Sequence, residues 1–191
     1  MALAFAHTTA GYLGYQLVRP PGPHRPALLL AAVALANGAD LDFLPGLVIG
    51  RAGAYHRGMT HTLAAVLAVG TAVALGAGLA GRRRAVLVRA AAWAAAVYAS
   101  HLVLDYLTVD AVPPYGGRFL WPLSDAYYLA PTPVLDGVII DSSGRAAFVA
   151  SLLTPQALGV WGRELACLAA TVALAHGLRR EAPAGEVPEA S

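Results

Sequence analysis

The chain has 191 residues, 58% of them hydrophobic and 13% charged, with a formal net charge of +2 and a mean hydropathy of +0.59. Soluble domains carry about 25% charged residues, so this balance excludes an ordinary water-soluble domain and leaves room for one membrane-embedded unit. The 13 basic residues are all arginine, scattered without an aromatic-interleaved basic stripe, which argues against a nucleic-acid partner, and the single cysteine, Cys167, excludes an internal disulfide.

In chain order, residues 2–18 ("ALAFAHTTAGYLGYQLV") predict a first span; no basic residue precedes Arg19, so this is not a cleavable signal peptide. Residues 26–39 predict a short second span that can extend into "FLPGLVIG". Residues 62–81 form an uncharged apolar run of twenty, enough to cross a hydrocarbon core of roughly 30 Å, ending on Gly81 before Arg82, Arg83 and Arg84. A fourth span runs from Ala85 to Thr108 and carries Arg89, His101 and Asp105. Residues 109–159 are rich in proline and aromatic residues and predict a lid over a site or a loop in the headgroup belt, with Trp121, Tyr127 and Tyr128 as candidates for substrate or lipid contact and interfacial anchoring the preferred reading. A last span is expected at 160–178, and the polar residues 181–191 are expected to be disordered. The fold class is therefore all-α, an integral membrane helical bundle of about five spans in a single domain over residues 1–180.

Arginine accumulates in short cytoplasmic loops. Arg19 and Arg25, Arg82 to Arg84 with Arg89, and Arg179 with Arg180 fall on one side if five spans alternate. The chain is then expected to be multi-pass in the cell membrane, N-terminus outside, with residues 40–61 and 108–159 facing the extracytoplasmic side.

On that map the ionisable residues converge at one face. Asp40 and Asp42 end span two, His56, Arg57 and His61 precede span three, His101 and Asp105 lie in the outer part of span four, and His7 lies in the outer third of span one. Tyr98, His101, Asp105 and Thr108 share one helical face, with His101 and Asp105 direct i,i+4 neighbours. An imidazole and a carboxylate one turn apart suit one divalent cation. An interhelical hydrogen bond would also satisfy such a pair, but buried ionisable groups at membrane depth need partners or a function, and here several gather on the same side. In "GADLDFLPG", an extended backbone would turn both aspartates to one site. In "YHRGMTHT", Thr60 or Thr62 can cap span three. His56 and His61 are five apart and cannot share a target from a regular helix, so if both serve, His56 lies in the loop. Arg57 offers a planar fork suited to phosphate, or snorkels at headgroup level. His24 and His176 fall on the opposite side and are left out of the site.

The order of an early His7, "DLDFLP", "HRGMTH", "HLVLDYLT" and "LWPLS" resembles the membrane-bound metal-dependent hydrolases of the DUF457 or YdjM-like type. A more distant likeness is to zinc-dependent phospholipase C and P1-type nucleases. That likeness implies a helical metal site in which Asp42, His56 or His61, His101 and Asp105 hold one ion and His7 with Asp105 a second. The later His and Glu ligands of those enzymes are missing, so one or two ions are expected, zinc first, with manganese or iron as alternatives.

The reading is a metal-dependent hydrolase, a phosphoesterase at the extracytoplasmic face, using metal-activated water on lipid phosphoesters. Asp40, with Asp42 as the alternative, would orient or deprotonate the water, and Arg57 would stabilise a phosphoryl oxygen. The alternative is a non-catalytic metal-binding membrane protein, a sensor or transporter subunit. A purely structural polar cluster would give Asp105→Ala a folding defect and no metal phenotype.

Overall fold

The computed structural model describes residues 4–19 and 23–181. The expected disordered tail lies, apart from Glu181, outside the described residues. Among the described residues seven α-helices follow one another: α1 Ala4–Val18, α2 Pro26–Asn37, α3 Phe43–Val48, α4 Leu63–Leu79, α5 Arg84–Leu107, α6 Arg145–Ser151 and α7 Pro155–Glu181. Among the described residues there is no strand beyond two isolated bridges.

The helix ends follow from local chemistry. α2 opens on Pro26, whose missing N–H costs nothing in the first turn. The stretch from α2 to α3 stays helical but tightens to a 3-10 turn over Gly38–Asp42. Pro45 cannot donate back to Leu41, so the regular ladder is interrupted there. Thr62 caps α4, its hydroxyl accepting from Ala65 N at 3.1 Å. Gly81, at φ 68°, closes α4: Arg82 N bonds Ala77 O at 3.0 Å and Gly81 N bonds Gly78 O at 2.9 Å, the paired bonds of a left-handed C-terminal cap. These two ends trim the twenty apolar residues to a 17-residue helix.

Among the described residues, three stretches are long and apolar enough to cross a membrane: Pro26–Val48, Arg84–Leu107 and Pro155–Arg179, of 23, 24 and 25 residues. α1, with 15 residues, and α4, with 17, are shorter. α1 packs against α2, α5 and α7, α2 also packs on α5, and α4 lies along α5. α1 meets α2 closely at Gly11, where an added Cβ would stand 2.8 Å from Ala32 O. Leu79 is 92% exposed and Leu17 85%, whereas His7, His61 and His101 are fully buried. Such a distribution, greasy outside and polar inside, suits a chain whose surroundings are hydrocarbon.

Residues 109–144 cover one end of the bundle. Val109 N bonds Leu135 O at 2.8 Å, Ala130 N bonds Tyr106 O at 3.0 Å and Leu63 N bonds Phe119 O at 2.8 Å, so the segment is stitched to the ends of α5 and α4. Arg145 adds a bond from Nε to Leu47 O at 2.7 Å, satisfying a carbonyl at the end of α3.

Candidate metal centre

Four side chains from three parts of the chain meet at the covered end. α5 supplies His101 and Asp105, one turn apart and both buried. The 3-10 turn after α2 supplies Asp40, and a second 3-10 turn, Met59–His61, supplies His61. Tyr98 fixes the latter turn against α5 by donating to Thr60 O at 2.8 Å.

The ligand atoms lie at nearly equal spacings. His61 Nε2 and His101 Nε2 are 3.2 Å apart. Asp40 Oδ1 is 3.5 Å from each, and Asp105 Oδ2 is 3.6 Å from each. A tetrahedron with arms of about 2.0–2.1 Å, the usual zinc distances to N and O, has edges of about 3.3–3.4 Å. Five of the six distances among these four donor atoms are thus of the size found between ligands of one ion, and the donor types suit a divalent cation.

The remaining ring nitrogens explain the orientation. His101 Nδ1 lies 2.8 Å from Ala36 O, a group that only accepts, so Nδ1 carries the hydrogen and Nε2 keeps its lone pair. His61 Nδ1 faces Asp42 Oδ2 at 3.1 Å. Asp42 also accepts from Thr60 Oγ1 at 2.9 Å and faces His56 Nδ1 at 3.1 Å. Metal-binding histidines ordinarily donate their other N–H to a carboxylate or a backbone carbonyl in this manner. Two neutral rings so held would point lone pairs at each other across 3.2 Å, which requires a cation or a proton between them. Burial alone would push the His61 imidazole down, but the Asp40 and Asp42 carboxylates hold it up, to about 9. Burial also lowers His56, against the opposing pull of Asp42.

Asp40 and Asp42 therefore stand apart in role. The expected extended backbone is replaced by the 3-10 turn, where residues two apart diverge by about 240°. Asp40 reaches the Nε2 atoms, and Asp42, expected as a ligand, lies behind the rings as the carboxylate that orients them.

His7 stacks on His101, ring centroids 3.7 Å apart. Its Nε2 is 4.0 Å from Asp105 Oδ1, and both atoms are buried without a hydrogen-bond partner among the described residues. His7, His101 and Asp105 form one group that could hold an ion, and Asp40, His56 and His61 another. His56 lies in the loop, stacked on Phe43 with centroids 4.0 Å apart. Arg57 adopts a left-handed backbone, φ 60°, and its Nη1 is taken by the Asp110 carboxylate and by Gly116 O at 3.1 Å. Asp110, 53 positions away, carried no signal in the sequence that would pair it with Arg57. Nor did Thr60 and the Ala36 carbonyl announce themselves as orienting groups.

The excluded histidines fall at the other end. His24 lies beside Arg19, 3.1 Å from its guanidinium, and stacks on His176 at 5.5 Å.

No curated protein and no solved structure matches the chain, so the expected likeness to phospholipase C and P1-type nucleases is not shown. A family model described as YdjM inner membrane protein matches residues 1–181. With nearly its whole length matched, the chain belongs to the YdjM inner membrane protein family.

Proposed function

We propose that the chain is a membrane-embedded metal-dependent hydrolase, a phosphoesterase acting on lipid phosphoesters at the extracytoplasmic face. The observation that carries the reading is the 3.5–3.6 Å spacing of Asp40 and Asp105 from both His61 and His101, each histidine backed by an oxygen on its other nitrogen. These residues would hold the first ion, with zinc favoured by two imidazoles and two carboxylates. His7 and Asp105 Oδ1 would serve a second. Such an ion supplies a water of lowered pKa and polarises an ester oxygen.

The chain's own residues do the rest. Asp42 fixes the tautomers of His56 and His61. Asp40, at 20% side-chain exposure, is the donor open to solvent and the one placed to take a proton from an attacking water. Arg57 lies beside the centre, with Asp110 neutralising its charge, so a phosphoryl oxygen would have to share it. The arginine-rich helix ends lie opposite the site, which favours five spans with the site outside.

A non-catalytic metal-binding role is the second reading. It is favoured by the same four donors, because four protein ligands leave a tetrahedral ion no open position. Elemental analysis of purified protein tests the common premise. One or two zinc ions per chain in the wild type, lost in folded His101→Ala and Asp105→Ala, are expected; no bound metal after reconstitution would sink both readings. Hydrolysis of a phosphoester panel by the loaded protein then separates them.

A further inference from the structure

At the end of the bundle away from the metal donors, a cavity of about 390 Å³ lies between α1, α2 and α5. Val18, Leu28, Val86, Ala90 and Trp93 give it an apolar wall, and Arg89 brings the charge. Trp93 is held in place by donating from Nε1 to Gly14 O at 2.9 Å. Val18 and Val86 are nearly half exposed, so the cavity opens toward the surroundings of the bundle. Arg89 and His101 stand on the same helix, about 18 Å apart along its axis at 1.5 Å per residue, which separates this cavity from the candidate metal centre.

Charge decides what the cavity can take. Arg89 lies inside the apolar stretch Arg84–Leu107, about 7–8 Å along the helix from Arg84, and a charge within a span needs a partner. Arg57, Arg118 and Arg163 have theirs in Asp110, Asp125 and Asp136. Arg89, and Arg25 one turn ahead of Leu28, are exposed and have no carboxylate partner among the described residues; nor have Arg82, Arg83 and Arg84. Snorkelling carries the Arg89 guanidinium to headgroup level, where the anion it meets is a lipid phosphate, a good match for its planar fork. The apolar volume holds about a dozen methylene-sized groups at roughly 30 Å³ each, room for the upper part of one acyl chain.

We propose that this cavity binds one anionic glycerophospholipid of the leaflet at the arginine end, its phosphate on Arg89 and one acyl chain along Val86, Ala90 and Trp93. Basic pockets between spans are suited to anionic headgroups, and the unpaired arginines at this end favour a net negative lipid over a zwitterionic one. This binding is independent of the hydrolase reading, because no metal donor takes part in it.

Native mass spectrometry of the full chain in detergent tests it, with dioleoyl phosphatidylglycerol and dioleoyl phosphatidylethanolamine added in turn. The wild type is expected to hold one phosphatidylglycerol about tenfold more tightly than phosphatidylethanolamine, the increment of one or two arginines acting near a membrane surface. Arg89→Gln should erase that preference, and Val86→Trp, which fills the cavity from an exposed position, should weaken both lipids. Arg83→Gln, outside the cavity wall, should leave the preference in place. Equal retention of the two lipids by the wild type would overturn the proposal, as would a preference that survives both Arg89→Gln and Val86→Trp. Equal losses in Arg83→Gln and Arg89→Gln would reduce the effect to diffuse attraction toward a basic end. A lipid-free dimer that Val86→Trp dissociates would give the cavity to a second copy of the chain and also overturn it.

Discussion

Asp42 sits between two imidazoles and a threonine hydroxyl, and Asp40 sits between the Nε2 atoms of His61 and His101. Those surroundings predict different losses. Asp40→Ala removes a ligand atom and should lower zinc affinity more than 100-fold, whereas Asp42→Asn leaves the ligands in place and should cost about 10–100-fold by loosening His61. Chelator competition measures both, and a larger loss at Asp42 would reverse the assignment. The sequence made both aspartates visible as site residues but not their division of labour, because that depends on whether the backbone is extended or wound as a 3-10 turn. His101 and Asp105 were fully legible, since i,i+4 spacing on a strong helix leaves one geometry. His56 was legible as a loop residue and a candidate ligand, but which of its nitrogens meets Asp42 is set by tertiary packing on Phe43.

At the scale of elements, α1 is one of the two weaker spans in the sequence and yet the one that brings His7 to Asp105. It does so by close approach at Gly11 against α2 and Gly14 against Val97. Gly11→Val would force a Cβ against the Ala32 carbonyl, and overpacking of that kind costs about 1–3 kcal/mol. The expected outcome is a lower thermal midpoint in detergent together with loss of a second zinc equivalent, the first being retained because its donors lie on α5 and the two 3-10 turns. Loss of all zinc, or none, would show that α1 does not serve a separate ion. Helix boundaries were less legible than helix existence. Residues 62–81 count as twenty by apolarity, but a threonine cap and a glycine closure remove three from the helix. α7 begins earlier than expected because Thr154 Oγ1 accepts from Ala157 N at 3.1 Å ahead of Pro155, a start signal masked by the polar and glycine residues that follow it.

Across the whole molecule, the two ends carry opposite chemistry. Arg179 bonds Gln16 through Nε at 3.0 Å, and Arg19 and His24 lie at the same end, far along α1 from His7. With Cys167 replaced by serine, Ser143→Cys should react with an impermeant maleimide added outside intact cells, and labelling only after lysis would invert the orientation. The donor end makes a further demand that couples folding, protons and metal. The Asp40 and Asp42 carboxylates hold the His61 imidazole up to about 9, above the ordinary 6.5. Its proton contributes stability in full below about 6.5, and the contribution is lost as pH rises through about 9. A proton on His61 Nε2 takes up the lone pair that an ion would need, so an incoming ion must displace it. Apparent zinc affinity should therefore rise about tenfold per pH unit between 7 and 9 and then level off, with close to one proton released per ion bound. Calorimetry in buffers of different ionisation enthalpy reads that release directly. Asp42→Asn removes one of the carboxylates that hold the proton, so its affinity profile should level off at lower pH. A wild-type affinity independent of pH across this range would mean that His61 is already neutral, and that the two facing lone pairs are relieved by something other than a proton.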